Sequence, residues 1–168
     1  MRTFSKSLFT LACLTITTAT LATTTVPMNF TAKEGTGKSA GTVQISETKY
    51  GLLFTPDLHN LTPGPHGFHI HQNPSCANDG MAAGGHFDPN KTEKHLGPYN
   101  DKGHRGDLAI LYVNTDGTAT TPVLAPRLHN IKDISNHALM VHDKGDNYSD
   151  EPEKLGGGGS RMVCGIIK

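Results

Sequence analysis

The sequence predicts an all-β sandwich or barrel with two long functional loops. Three observations lead there. The regular segments are short runs that alternate apolar and polar residues or are rich in β-branched side chains, the patterning of strands. No stretch carries the apolar repeat of an amphipathic helix. Turn residues separate the runs throughout, with 19 Gly and 10 Pro in 168 residues, as all-β folds require. The length suits one domain with a proper core.

Taken in order, residues 1–22 stand apart from the fold. Arg2 and Lys6 precede an uncharged run rich in Leu, Ala and Thr, and Thr20-Leu21-Ala22 offers a small-residue cleavage site. This is the pattern of a secretory signal peptide, with an apolar run too short and Thr-rich for a good membrane span. A lipid-modified Cys13 is the lesser reading, because Thr10 stands where Leu is usual. Cleavage near Ala22 leaves a domain over 23–168. It removes two of 15 basic residues and none of 15 acidic ones, so the mature chain is acidic by two charges. There is no basic excess to suggest nucleic acid, and no membrane segment is expected in the mature form. Cys76 and Cys164 then remain as the two cysteines, and in an exported chain they read as a disulfide. The long loop it closes is worth roughly 3–5 kcal/mol in the chain-entropy picture.

The first strand is expected over 26–33. The next covers 39–47, with Ala40, Thr42, Gln44 and Ser46 on one face and Gly41, Val43 and Ile45 on the other. A third covers 51–55 and ends at Pro56, residues 58–65 are turn-rich, and a fourth covers 67–72. The irregular stretch 73–106 is the first long loop. A strand over 107–113, the turn Asn114-Thr115-Asp116-Gly117 and a partner strand over 118–124 read as a hairpin. Strands over 137–142 and 161–167 flank the second long loop, whose Gly run at 156–159 suggests a tight turn packed near the site. Loops of this length in a compact domain are usually functional or disordered, and the histidines favour function.

Ten histidines are a heavy load for this length. His69 and His71 stand two apart, so on a strand they share a face while Ile70 points into the core. His86 follows Gly84-Gly85; His95 and His104 come at nine-residue steps through Pro, Asn and Gly; Asp107 ends the stretch; His142 ends a later strand. Three His and one Asp from a single loop suit a four-coordinate zinc ion, and a set with no open position is structural. Imidazoles alone suit copper. His86, between the groups, has two ring nitrogens and could bridge both metals. His59, His66, His129 and His137 read as non-ligands.

The pieces Gly67-Phe68-His69-Ile70-His71, Gly84-Gly85-His86, Gly97-Pro98-Tyr99-Asn100, Gly103-His104-Arg105-Gly106-Asp107 and Gly158-Gly159-Ser160-Arg161-Met162-Val163-Cys164-Gly165 resemble, in this order, the copper,zinc superoxide dismutases. Asn73-Pro74-Ser75-Cys76 and the run 145–150 resemble their bacterial exported, periplasmic branch. The likeness covers about residues 26–167. It implies an eight-stranded Greek-key barrel, copper on His69, His71, His86 and His142, and zinc on His86, His95, His104 and Asp107. It also implies a Cys76–Cys164 bond, Arg161 guiding superoxide to the copper, His86 carrying a catalytic proton, and Asp146 hydrogen-bonded to a histidine of each metal, which fixes ring orientation. The segment from Cys76 to Gly84 is shorter than in many bacterial relatives, a departure in the disulfide loop and in any dimer contact it makes. Monomer and homodimer both occur among exported relatives.

The activity implied is dismutation of superoxide to dioxygen and hydrogen peroxide. The alternative is an exported copper carrier without turnover, which would not need Arg161 and its Gly-rich approach. A zinc hydrolase would need an open zinc position and a nearby Glu base, as in His-Glu-x-x-His, and neither is visible. Because the mature chain is acidic and the substrate an anion, steering must come from local positive potential, which raises on-rates by roughly 10–10³-fold. Lys91, Lys94 and Lys144 are the candidates nearest the ligands.

Overall fold

The computed structural model describes residues 22–168. The predicted signal peptide falls almost wholly outside them. Nine strands run in chain order: β1 Thr23–Phe30, β2 Ser39–Thr48, β3 Gly51–Leu58, β4 Gly64–His66, β5 Phe68–His71, β6 Leu111–Val113, β7 Val123–Ala125, β8 Ala138–His142 and β9 Arg161–Ile166. One antiparallel sheet has the order β5-β8-β9-β1-β2-β3-β7, and β4 pairs with β6 beside it. The fold is the all-β architecture expected, a curled antiparallel sheet of the Greek-key barrel type. Among the described residues no helix is long and apolar enough to cross a membrane.

The expected strand over 67–72 is only its second half. Gly64, Pro65 and His66 pair with Val113, Tyr112 and Leu111, in a stretch whose composition reads as turn. After a bend at Gly67 the chain pairs with β8 instead, Phe68 opposite Val141 and His71 opposite Ala138. A strand that switches sheets at a bend is how an orthogonal packing turns its corner, and β4 with β5 amounts to one bent strand of an eight-strand scheme.

β3 does not stop at Pro56. It runs to Leu58, with Pro56 opposite Val43. The amides of Leu52 and Leu58 point to the β7 side of the strand, so the nitrogen of Pro56 faces that side as well. There β7 pairs only with Leu52, Leu53 and Phe54, and a missing N–H is tolerated at a free edge.

β2 breaks the simple alternation. Its register against β1 shifts between Met28 and Asn29, and Gly41 takes φ 125°. This bulge turns Ala40 inward with Val43 and Ile45, away from the face shared by Thr42, Gln44 and Ser46. The turn at Asn114 forms, with Asn114 N donating to Thr118 O at 2.8 Å. However, the chain after it joins β3 and not β6, so it is a crossover between sheets and not a hairpin. Between the sheets lies an aliphatic core with Phe54 and Phe68 edge-to-face, centroids 5.8 Å apart.

Candidate metal centre

β5 is the edge strand of the large sheet, and its free edge gathers the first long loop. Ile70 N donates to Gly106 O at 2.9 Å, Phe87 N to Ile70 O at 2.8 Å and Gln72 N to Gly85 O at 2.9 Å. These bonds set His86 against His71 and Asp107 against His69 as isolated bridges. On the other side β8 delivers His142, whose N–H donates to Gly67 O at 2.8 Å. An edge that would otherwise expose unpaired backbone therefore places four of the predicted residues, and β8 adds a fifth.

Two clusters result. His69, His71, His86 and His142 form one; His86, His95, His104 and Asp107 form the other. All of these side chains are buried. Both groups are the ones expected from the sequence, and His86 belongs to each.

The hydrogen bonds at the back of each ring decide which nitrogen is free. Carboxylate and carbonyl oxygens only accept, so the ring nitrogen facing one must carry the proton. His69 Nε2 donates to Asp146 Oδ2 at 2.7 Å, and His71 Nδ1 to Gly84 O at 2.9 Å. His142 Nδ1 points to Gly159 O at 3.4 Å. The lone pairs left are His69 Nδ1, His71 Nε2 and His142 Nε2. The last two face each other at 3.3 Å, and His69 Nδ1 and His86 Nε2 are buried with no partner at all. Burial, joined by neighbouring rings, keeps His69 and His71 well below the ordinary imidazole range and brings His142 down to about 4. Neutral imidazoles with converging, unpaired lone pairs fit a copper ion.

The second cluster closes on Asp107 Oδ1. His86 Nδ1 donates to it at 2.9 Å. His95 Nδ1 and His104 Nδ1 lie 3.0 and 3.4 Å from the same oxygen and have no hydrogen-bond partner of their own. Burial would raise the Asp107 carboxyl, but the His104, His86 and His95 rings around it hold it far below the carboxylate range. Burial opposes charge on His95 too, yet Asp107 and Asp146 raise it to about 9. Three Nδ1 atoms gathered on one carboxylate oxygen make a closed four-donor set, which fits zinc once the ion takes the place of the His86 Nδ1 proton.

Asp146 joins the clusters. Its Oδ1 accepts from His95 Nε2 at 2.8 Å while Oδ2 accepts from His69. The turn at Leu155 and Gly156 seats against this pair. Gly156 has φ 76°, and a Cβ there would collide with Asp146 Oδ1 and His95 Nε2, so this turn requires glycine.

Arg161 opens β9 beside the copper-type cluster. Its Nη1 and Nη2 donate to Gly80 O at 2.6 Å and Gly84 O at 2.5 Å. Gly84 O thus serves both Arg161 and His71. The loop that presents these carbonyls is tied to β9 by the Cys76–Cys164 disulfide. A cleft of about 340 Å³ leads down to His71, His86 and His142 past Arg161, Met81, Lys154 and Leu155. None of Lys91, Lys94 and Lys144 lines it; the lysine that does is Lys154, two residues past the loop residue Pro152 and without any spacing signal.

Of the histidines read as non-ligands, none joins a cluster. His66 is nonetheless buried, with Nδ1 2.7 Å from His142 O and Nε2 2.7 Å from Thr62 O. His137 precedes β8 and sits within hydrogen-bond reach of the carbonyls of His71 and Gln72. His59 pairs with Asp57 at the surface.

A curled antiparallel barrel holding two buried four-donor clusters through one shared histidine defines a binuclear metalloprotein of the copper–zinc type. A family profile described as copper/zinc superoxide dismutase (SODC) matches residues 39–167, and the chain belongs to that family. It is 56% identical to superoxide dismutase [Cu-Zn] 1 of Salmonella typhimurium over 154 residues, 87% of each chain. It is likewise 56% identical to superoxide dismutase [Cu-Zn] of Francisella tularensis over 138 residues, 79% of this chain and 75% of that one. Among solved structures it superposes on the Cu/Zn superoxide dismutase from Brucella abortus with TM-score 0.83 at 51% identity, covering 88% of this chain and all of that one.

Proposed function

We propose that the two clusters divide the work of superoxide dismutation, the family's reaction, in which two superoxide anions and two protons give dioxygen and hydrogen peroxide. His69, His71, His86 and His142 hold copper; His86, His95, His104 and Asp107 hold zinc. One observation carries the assignment: His86 turns one ring nitrogen to each cluster, with Nδ1 on Asp107 Oδ1 and Nε2 buried and unpaired at the foot of the cleft. When bound, copper supplies a one-electron acceptor and donor, while zinc keeps one valence and supplies charge and structure.

The chain's own residues do the rest. Arg161 projects into the cleft from a fixed frame, its guanidinium pinned by the Gly80 and Gly84 carbonyls, and binds the anion by charge-assisted hydrogen bonds. His86 Nε2 is the atom assigned to hold a proton for the departing product. Asp146 and Gly84 O keep His69 and His71 in the tautomers that leave the inner nitrogens free. Turnover is favoured over a carrier because a carrier has no use for a guanidinium fixed over the copper-type cluster.

The chain is further proposed to be exported to the periplasm with cleavage near Ala22, a reading supported by the Cys76–Cys164 bond and by its bacterial relatives. A structural relative from Salmonella enterica, 54% identical with TM-score 0.77, is described as monomeric. The test is superoxide decay by the copper- and zinc-loaded protein beside His142→Ala and Arg161→Ala. His142→Ala is expected to lose copper and activity but keep zinc, and Arg161→Ala to keep both metals and lose rate. Slow decay by the fully loaded wild type would overturn the reading.

A further inference from the structure

Arg127 stands outside both clusters, on the stretch that follows β7, and its guanidinium spends every donor it has on backbone. Nε donates to Pro98 O at 2.8 Å; Nη1 to Asn100 O at 2.7 Å and Gly103 O at 3.3 Å; Nη2 to Gly97 O at 3.1 Å and His104 O at 2.6 Å. A guanidinium carries five N–H donors in a rigid fork, and five carbonyls take them. No carboxylate pairs with it among the described residues, whose close ion pairs all involve histidine.

Both ends of this clamp are informative. On the barrel side Arg127 is anchored by its neighbour: Leu128 is buried in the core, and Leu128 O accepts from Leu52 N on β3 at 2.7 Å. On the loop side the five carbonyls bracket the chain from just after His95 to His104 itself. That stretch has no strand or helix of its own, so its shape comes from such contacts. A loop without regular structure must otherwise find partners for its backbone groups in water or lose its form.

We propose that Arg127 is a positioning residue for the zinc site: its five-donor clamp fixes the loop so that His95 and His104 arrive together on Asp107, and zinc retention depends on it. This rests on the assignment of zinc to His86, His95, His104 and Asp107. Lysine is no substitute, because an ammonium offers three donors from a point and cannot span carbonyls spread over a plane. A mere filler at this place would tolerate an uncharged side chain of similar length.

The experiment uses the metal-loaded full chain. Zinc transfer to a chromophoric chelator is followed for wild type, Arg127→Ala, Arg127→Lys and His95→Ala, with copper content read in parallel. Arg127→Ala is expected to release zinc about 10–100-fold faster, the usual size for partners that support metal ligands, with copper retained. Added guanidinium ion at low millimolar concentration should slow the release again, and ammonium should not. With Co²⁺ in the zinc position, the visible d–d bands should change shape in Arg127→Lys. Zinc release at the wild-type rate, acceleration that guanidinium and ammonium relieve alike, or cobalt bands identical to wild type would each overturn the proposal. Should Arg127→Ala not fold, Arg127→Lys and Arg127→Gln carry the same release measurement. Zinc retained by His95→Ala would instead overturn the ligand assignment, so the two failures are distinct.

Discussion

At the scale of single residues, the ligands that strand geometry places are the ones the sequence reveals locally. His69 and His71 share a face because strand side chains alternate, and nothing else is needed to pair them. His86, His95 and His104 are different. They meet through backbone bonds from the loop to the β5 edge and through the side chains of Asp150 and Arg127 far along the chain. Ligand chemistry could therefore group them as a zinc set, but no local pattern could place them, and the full sorting came from the family resemblance. His66 was legible as a histidine that holds no metal, but its role was not, since its two partners, Thr62 O and His142 O, are contacts made by the fold. A neutral ring has one N–H to give, and removing it takes the side-chain partner from this pair of carbonyls, of which His142 O is buried, at about 1–3 kcal/mol. His66→Ala is therefore expected to lower stability by about 1–3 kcal/mol and to loosen the end of β8 that carries His142. Urea unfolding reads the first effect, and copper competition with a chelator reads the second. Wild-type copper retention in a destabilised variant would separate the two.

At the scale of elements, the second long loop does two things at once. Its turn at Gly156 rests on the Asp146–His95 pair, and its next residues back line the cleft mouth with Glu153, Lys154 and Leu155. Gly156→Ala should thus displace the Asp146 carboxylate, costing about 1–3 kcal/mol for backbone strain alone and loosening zinc; differential scanning calorimetry with metal analysis checks it. Lys154 tests steering. Lys154→Ala is expected to lower the second-order rate at low ionic strength and to flatten its salt dependence, while Glu153→Gln raises the low-salt rate. Lys91→Ala should leave both unchanged, because Lys91 does not line the cleft. An unaltered salt slope in Lys154→Ala would leave Arg161 as the guiding charge. The strands themselves were largely readable from alternation. The exceptions, β4 and the crossover into β7, depend on pairing partners more than forty residues away in one case and on a different sheet in the other, which no local pattern encodes.

At the scale of the whole molecule, the catalytic face is assembled from both halves of the chain, and the disulfide is the link between them. Cys76 sits in the loop that offers the Gly80 and Gly84 carbonyls, and Cys164 on the strand that begins with Arg161; the bond spans 88 residues of sequence. Two consequences follow from different physics. Cross-linking so long a loop removes freedom from the unfolded chain, worth about 3–5 kcal/mol in the entropic account. It also holds the carbonyls against which the guanidinium is braced. The Cys76→Ala/Cys164→Ala double variant should therefore lose about that much stability, read by urea unfolding of the metal-free protein so that metal binding does not add to the folded state. Its metal-loaded form should keep copper and zinc, since no ligand is touched, yet turn over more slowly as Arg161 loses its frame. If the rate per bound copper matched wild type, the braced guanidinium would depend on the β9 backbone alone, and the disulfide would serve stability only.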